Sequence, residues 1–439
     1  MKKLIALLIP AFVTIASYSQ SADERVGDMM NNSQWFELRD YFKTNNDSVS
    51  PFLEDFAQAM LAHFFNNPSE AISRSLSLMK NHLKELDIDN LIAVSQMTAL
   101  NLQKLGKNAD AADVLTNILA STRQYLDSTA VAQLDSQIAR HSALGKYEPY
   151  KVSKIDSIIT IPLRIEMISV VEDQPSLAMA FIPDCKINNT ICDVQFDTGA
   201  GMNVISTKRA AEMDMKFLDV NMTAQGLREV AGIPMAIVDS LVMDGLTIYD
   251  VPFLVLDITA GHELLDSVLK KSEIIIGLEV INALKHINLD FQNPSITVSN
   301  HSFVPADEQE NMMLTNGNNI IVRGNVGKQS MLIHPDCGDA SYGIFFGSSW
   351  NYMKSFVSEN QQPKNSLLGG TGGYDEVPIY KINNVPLTIA STTISIPQID
   401  LAENYDSDDD CDVRIGLKTF LLYDTVAFDM ERMIIYPTK

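Results

Sequence analysis

Three landmarks in the second half of this chain recur at one constant distance. Each follows its counterpart by 139 residues: the Asp-x-Gly sequences at 197–199 and 336–338, the Ile-Gly-Leu sequences at 276–278 and 415–417, and the aspartates at 290 and 429. Short apolar runs separated by turn residues surround both sets, which is typical of β-strands. Several landmarks at one spacing indicate an internal duplication. We therefore predict two similar β lobes, at 150–302 and 310–439.

The paired Asp-x-Gly turns indicate a chemistry that neither turn has alone. A lone turn aspartate is usually structural, because its carboxylate accepts hydrogen bonds from nearby backbone amides. A pseudo-twofold relation between the lobes would bring Asp197 and Asp336 together across a cleft. Two carboxylates at that range cannot both ionise cheaply, so one keeps its proton. The ionised member can activate a water while the protonated member donates to a carbonyl, which fits hydrolysis of a peptide or protein substrate.

The sequence around the first turn resembles a known protein family. Residues 196–205 (Phe-Asp-Thr-Gly-Ala-Gly-Met-Asn-Val-Ile) resemble the active-site stretch of retropepsin-like aspartic proteases. Residues 274–278 and 287–291 resemble the glycine-terminated strand and the closing strand of the same domain. The resemblance covers about 158–439 in two tandem copies, like the lobes of pepsin-like enzymes. It implies an all-β bilobed fold, aspartic-type endopeptidase activity, and catalytic roles for Asp197 and Asp336.

The resemblance also implies supporting residues. In that family the residue after the catalytic aspartate locks the two turns together, and a glycine-rich hairpin, the flap, closes over the substrate. The active-site turns would then include Thr198, Gly199, Cys337 and Gly338. The flap candidates are Gly226 and Gly232 in the first lobe and Gly369, Gly370, Gly372, Gly373 and Tyr374 in the second.

The second copy departs from the family pattern at three positions. Cys337 replaces the usual hydroxyl residue, Pro335 removes a backbone donor before the aspartate, and Asp339 stands where the first lobe has Ala200. A thiol is a weaker hydrogen-bonding group than a hydroxyl, which predicts a looser lock between the turns. Asp339 adds a negative charge close to the pair. The alternative is therefore a catalytically degenerate peptide-binding or scaffold protein with a protease-like fold.

Residues 24–145 have a helical pattern. Ser50-Pro51 and Asn67-Pro68 each place a capping side chain before a proline at the first helical position. Apolar residues then recur at helical spacing in four predicted helices, at 51–66, from 68 onward, at 89–105 and at 109–125. Their arrangement resembles tetratricopeptide-like helical hairpins. This region is either a docking surface for a protein partner or a helical cap on the next domain.

The first twenty residues have the layout of a secretory signal peptide. Lys2 and Lys3 precede an apolar run at 4–16, and small residues suited to cleavage follow. A membrane anchor is the alternative, but the run is shorter than the ~20 residues of a membrane span. No later segment has the composition of a span. We expect an exported protein, periplasmic or secreted.

The net charge, the acidic run and the histidines argue against nucleic-acid binding and metal binding. The formal net charge of −22 argues against nucleic-acid binding, which requires clustered Lys and Arg. The acidic run at 406–412 lacks the glycine and terminal glutamate of an EF-hand, so a solvated loop is favoured over a calcium site. The histidines have no metal-ligand spacing, and His334 is expected at the surface. No cofactor or metal is predicted.

Two of the four cysteines flank a predicted turn. Cys185 and Cys192 lie on either side of Asn188-Asn189, a plausible two-residue hairpin connection. They would then face each other on paired strands. A disulfide and two buried free thiols are both compatible with this spacing.

Overall fold

Helices occupy the first part of the chain and strands the second, which confirms the predicted fold class. The computed structural model describes residues 21–45, 49–169, 176–315, 318–406 and 411–439. The chain divides into two units, Met1–Tyr147 and Glu148–Lys439. The predicted signal peptide and residues 407–410 of the acidic run lie outside the described residues.

Capping side chains begin several helices of the first unit, although Ser50, predicted to cap the helix at Pro51, makes no capping hydrogen bond. Asn67 accepts a hydrogen bond from the Glu70 amide and precedes Pro68, while Asp87 and Asp127 cap two later helices in the same way. The described helices are α1 (Ala22–Asn31), α2 (Trp35–Thr44), α3 (Pro51–Phe64), α4 (Pro68–Asn81), α5 (Ile88–Lys104), α6 (Asn108–Thr122) and α7 (Ser128–Leu144).

The predicted helix boundaries agree with the structure to within two residues, except at one end. The starts at Pro51 and Pro68 are confirmed, and α5 ends just before Gly106, which has a φ of 73°. The last of the four predicted helices ends at Thr122 rather than at residue 125, because Arg123–Tyr125 forms a 3-10 turn.

The second unit begins with the strands of the first lobe. They are β1 (Lys151–Val152), β2 (Ile159–Pro162), β3 (Arg164–Ile168), β4 (Leu177–Ile187), β5 (Thr190–Phe196), β6 (Val204–Ile205), β7 (Lys216–Gln225), β8 (Glu229–Met243), β9 (Leu246–Val255), β10 (Ile274–Ile276), β11 (His286–Asp290) and β12 (Ser295–Val298). Its helices are α8 (Thr207–Glu212), α9 (Glu263–Leu269) and α10 (Leu278–Leu284).

The second lobe follows with a similar series. Its strands are β13 (Met312–Leu314), β14 (Ile320–Val326), β15 (Gln329–Pro335), β16 (Gly343–Phe345), β17 (Lys364–Gly370), β18 (Gly373–Ile389), β19 (Thr392–Ala402), β20 (Val413–Ile415), β21 (Thr425–Asp429) and β22 (Ile434–Thr438). Its helices are α11 (Trp350–Met353) and α12 (Leu417–Phe420).

The strands of the second unit form three sheets. One has the order β1-β9-β6-β10-β5-β4-β8-β7, with β3 on β4, and another has the order β13-β14-β15-β20-β16-β19-β18-β17. The third, β2-β12-β11-β21-β22, joins the lobes because β11 of the first pairs antiparallel with β21 of the second. One buried apolar cluster extends through both lobes.

The apolar stretch at 158–167 forms two strands in different sheets. Pro162 ends β2 opposite Ser295, and the amide of Leu163 still donates to the carbonyl of Pro294 before the chain enters β3. β2 pairs with β12 in the joining sheet, whereas β3 pairs with β4. Since proline has no amide hydrogen to donate, it suits the point where the chain leaves one sheet for another.

Equivalent strands carry the two Asp-x-Gly turns. Asp197 follows β5 and Asp336 follows β15, and each strand pairs in parallel with the short strand that precedes an Ile-Gly-Leu glycine. Phe196 is opposite Ile276, and Pro335 is opposite Ile415. The duplicated sequence therefore forms a duplicated structure. Within the described ranges, no helix has the length and apolar character needed to cross a membrane.

Candidate active site

Asp197 and Asp336 are held by the same backbone contacts in the two lobes. Oδ1 of Asp197 accepts hydrogen bonds from the amides of Gly199 (2.8 Å) and Ala200 (3.2 Å). Oδ1 of Asp336 accepts from Gly338 (2.9 Å) and Asp339 (3.0 Å). Each aspartate amide also donates to the neighbouring strand, at Ile276 or Ile415.

The glycines of the two turns explain how closely the carboxyls approach. A Cβ added to Gly199 would overlap the carboxyl of Asp336, and a Cβ added to Gly338 would overlap the carboxyl of Asp197. Each lobe therefore leaves out a side chain where the other lobe places its carboxyl. The predicted meeting of Asp197 and Asp336 is present in the structure.

The proximity of the two carboxyls changes their protonation. Burial, and next the negative charge of Asp336, raise the pKa of Asp197 well above its usual range. The hydrogen bonds from Gly199 and Ala200 lower the pKa of Asp197 and oppose this effect only in part. The pair can consequently hold one proton near neutral pH, as an acid–base pair requires.

Thr198 and Cys337 lock the two turns together. Thr198 Oγ1 donates to the carbonyl of Pro335 (2.7 Å) and accepts from the amide of Cys337 (2.9 Å). In return, Cys337 Sγ donates to the carbonyl of Phe196 (3.4 Å) and accepts from the amide of Thr198 (3.2 Å). Burial raises the pKa of the Cys337 thiol, which keeps the proton needed for donation. The thiol keeps every contact of the lock, at longer distances on its own side.

The other two departures of the second turn have different consequences. Pro335 is tolerated because the amide of the next residue, Asp336, makes the bond to Ile415. Asp339 is paired with Arg414, whose Nε lies 3.1 Å from Asp339 Oδ2 and 3.9 Å from Asp336 Oδ2. Asp339 stands out in the sequence, whereas Arg414 was not predicted. The available signal was the 139-residue spacing, which makes Arg414 the equivalent of Ile275.

The flap candidates lie on two hairpins whose tips meet. Gly226 is at the tip between β7 and β8, and Gly232, with a φ of 73°, lies within β8. In the second lobe Gly369 and Gly370 end β17, Gly372 forms the turn with a φ of 85°, and Gly373 and Tyr374 begin β18.

The contacts between the tips were not predicted. The amide of Arg228 donates to the carbonyl of Thr371 (3.3 Å). The guanidinium of Arg228 binds both oxygens of Asp375, with Nη1 3.2 Å from Oδ2. A Cβ on Gly226 would overlap Thr371, so the glycine permits this approach. The tips of two hairpins, one from each lobe, are thus in direct contact.

A segment of the first lobe also holds the second-lobe hairpin. The amide of Gly372 donates to the carbonyl of Thr259 (3.2 Å), and the rings of His262 and Tyr374 meet edge to face at 5.1 Å. Leu265 on α9 fills the space beside Gly369. The second-lobe hairpin is therefore anchored on two sides.

The remaining sequence candidates lie away from this site. Cys185 and Cys192 are directly opposite on β4 and β5 as buried free thiols, and Asn188 takes a φ of 52° in the turn between them. Burial raises the pKa of Cys192 to about 11. The surface position expected for His334 is wrong: this residue is buried on β15 between β14 and β20, and its Nδ1 lies 2.8 Å from the carbonyl of Ile320.

Comparison with known proteins supports the resemblance seen in the sequence. Residues 184–280, which include the first Asp-x-Gly turn, match the model of the aspartyl protease family. The chain is also similar to the crystal structure of a retropepsin-like aspartic protease from Rickettsia conorii, with 12% identity and a TM-score of 0.21. That similarity covers 33% of this chain and 96% of the other. A search of curated proteins finds no match. The family match confirms the resemblance of residues 184–280 to aspartyl proteases.

Proposed function

We propose that this chain is an exported aspartic endopeptidase in which Asp197 and Asp336 activate one water. The observation that carries the proposal is the reciprocal fit of each carboxyl into the space left by the glycine of the opposite turn. The raised pKa of Asp197 adds support, because a pair that holds one proton contains both an acid and a base. Export rests on the signal-like sequence at 1–20.

The proposed reaction balances through the two carboxyls. The ionised member takes a proton from the water as the water oxygen attacks the peptide carbonyl carbon. The protonated member gives its proton to the carbonyl oxygen, which forms a neutral tetrahedral intermediate. When the carbon–nitrogen bond breaks, the first carboxyl gives its proton to the leaving amine, and the second regains a proton from a hydroxyl of the intermediate. No covalent intermediate with the protein forms.

Conversion of each carboxyl to an amide tests the proposal. We expect Asp197→Asn and Asp336→Asn each to lower kcat/KM for peptide cleavage by at least about 1,000-fold, since either change removes an acid–base partner. Asp239→Asn is the matched control, because Asp239 is exposed and pairs with Lys216 on the outer strands β7 and β8. This variant is expected to retain wild-type activity.

Two outcomes would replace the proposal. Full activity of Asp336→Asn would indicate a homodimer that uses two copies of Asp197. Wild-type protein that binds peptides between about pH 3 and pH 7 without cleaving them would indicate the degenerate peptide-binding protein. Identification of the mature N-terminus after cell fractionation tests export separately.

A further inference from the structure

The surroundings of the two candidate catalytic aspartates differ in charge. Their backbone donors are equivalent, as described above, so the amides do not distinguish the two carboxyls. At the corresponding side-chain positions the first lobe has Ala200 and Ile275, whereas the second lobe has Asp339 and Arg414. An ion pair therefore lies beside one of the two aspartates and has no counterpart beside the other.

This ion pair is fixed in place by the second lobe. Arg414 is on β20, between β15 and β16, with Nε 3.1 Å from Asp339 Oδ2 and 3.9 Å from Asp336 Oδ2. The other oxygen of Asp339 accepts bonds from the amide (2.9 Å) and hydroxyl (2.7 Å) of Ser341. The side chains of Asp336 and Asp339 are 15% and 14% exposed, so solvent screens their interaction with Arg414 only in part.

We propose that Arg414 and Asp339 are positioning residues that keep the negative charge of the pair on Asp336 and its proton on Asp197. The inference rests on the proposed function. The guanidinium favours the ionised form of the nearer carboxyl, Asp336. Asp339 holds Arg414 beyond hydrogen-bonding distance from Asp336 and partly neutralises it, so Asp336 remains able to accept a proton from water.

Other titratable groups surround Asp336 and Asp339, and each has a defined position or partner. Asp197 lies across the cleft, and the thiol of Cys337 stays neutral. His334 is opposite Arg414 in the sheet and bonds to the carbonyl of Ile320. Asp400 acts on Asp339 from β19 and is paired with Lys381 at 2.9 Å. Among the described residues, Arg414 lies within ion-pair distance of both Asp336 and Asp339.

Two single variants separate an electrostatic role from a structural one. Arg414→Gln removes the positive charge, so the acid limb of kcat/KM against pH is expected to move up by about one pH unit. Asp339→Asn keeps an oxygen for Ser341 but removes the negative charge, so the acid limb is expected to move down. The double variant is expected to lie between them. Arg164→Gln, which removes a surface ion pair with Asp193, is the control and should leave both limbs unchanged.

An electrostatic role predicts that the two single variants shift the acid limb in opposite directions, which a packing defect would not do. If both variants lose activity and neither limb moves, the inference is overturned.

Carbon-13 NMR of aspartate-labelled protein gives a readout that needs no activity. The Asp197 and Asp336 carboxyl signals are identified by their absence in Asp197→Asn and Asp336→Asn. If wild type cleaves no peptide but the titrations shift as expected, the inference stands and the proposed function fails. If wild type cleaves peptides but the titrations do not shift between the variants, the proposed function stands and the inference fails.

Discussion

The carboxyl of Asp197 links protonation to the stability of the fold. Its pKa is raised in the folded protein, mainly by burial, so the folded chain binds this proton more tightly than the unfolded chain. Stability should therefore fall as the pH rises from about 4, the usual value for Asp, towards the folded value. An asparagine keeps an acceptor for the amides of Gly199 and Ala200 but cannot ionise.

We expect Asp197→Asn to melt a few degrees above wild type at pH 7.5 and at the same temperature as wild type near pH 3.5. Thermal melts followed by circular dichroism at both pH values measure the difference. Asp239→Asn, on an exposed carboxyl, is expected to show no such dependence. A variant that is less stable than wild type at pH 7.5 would contradict the argument.

At the scale of single elements, the tips of the two hairpins are joined by a backbone hydrogen bond and by one largely exposed ion pair. Arg228 and Asp375 belong to different lobes, and their side chains are 53% and 26% exposed. Such a pair contributes about 0–1 kcal/mol and is weakened by salt. Under the proposed function the hairpins act as flaps that separate before a substrate enters, so the pair should slow entry slightly.

We expect Arg228→Gln and Asp375→Asn to increase the association rate of a statine-containing peptide inhibitor by about 2- to 5-fold, in line with the small energy of an exposed pair. Added salt should accelerate association with wild type and have little effect on either variant. Lys216→Gln is a suitable control, because Lys216 pairs with Asp239 at the base of the same first-lobe hairpin. Equal rates for wild type and both variants at low salt would show that the contact does not limit entry.

The same elements show what could and could not be predicted from the sequence. Glycine clusters predicted the hairpins, and the 139-residue spacing predicted the meeting of Asp197 and Asp336, because both follow from local pattern and symmetry. The pairs Arg228–Asp375 and Arg414–Asp339 depend on side-chain directions in strands far apart in sequence. A sequence pattern identifies such residues only as charges on a strand, which are usually solvated.

At the scale of the whole β unit, the lobes are expected to unfold together. They share the joining sheet through β11 and β21, and one apolar core extends through both. Phe428 on β21 is 1% exposed and lies opposite Ile287 of the first lobe. Loss of a side chain at this position removes contacts that both lobes use.

We expect Phe428→Ala to lower the free energy of unfolding of the β unit by about 3–5 kcal/mol. Hydrogen exchange measured by mass spectrometry should show amides of β5 and β15 losing protection in parallel, although they belong to different lobes. The control is Phe217→Ala, since Phe217 is 57% exposed on β7 and should cost less than about 0.5 kcal/mol. Loss of protection in the second lobe alone would indicate lobes that unfold independently.

The tandem arrangement has a genetic consequence at the pair of aspartates. In a homodimer built from one short gene, every substitution appears on both sides of the twofold axis, so an arginine beside one aspartate would be matched by an arginine beside the other. Here the two halves are encoded separately, and the position of Arg414 in the second half is occupied by Ile275 in the first. Duplication within one chain has released the halves from symmetry, and a mutation can now favour one aspartate over its twin.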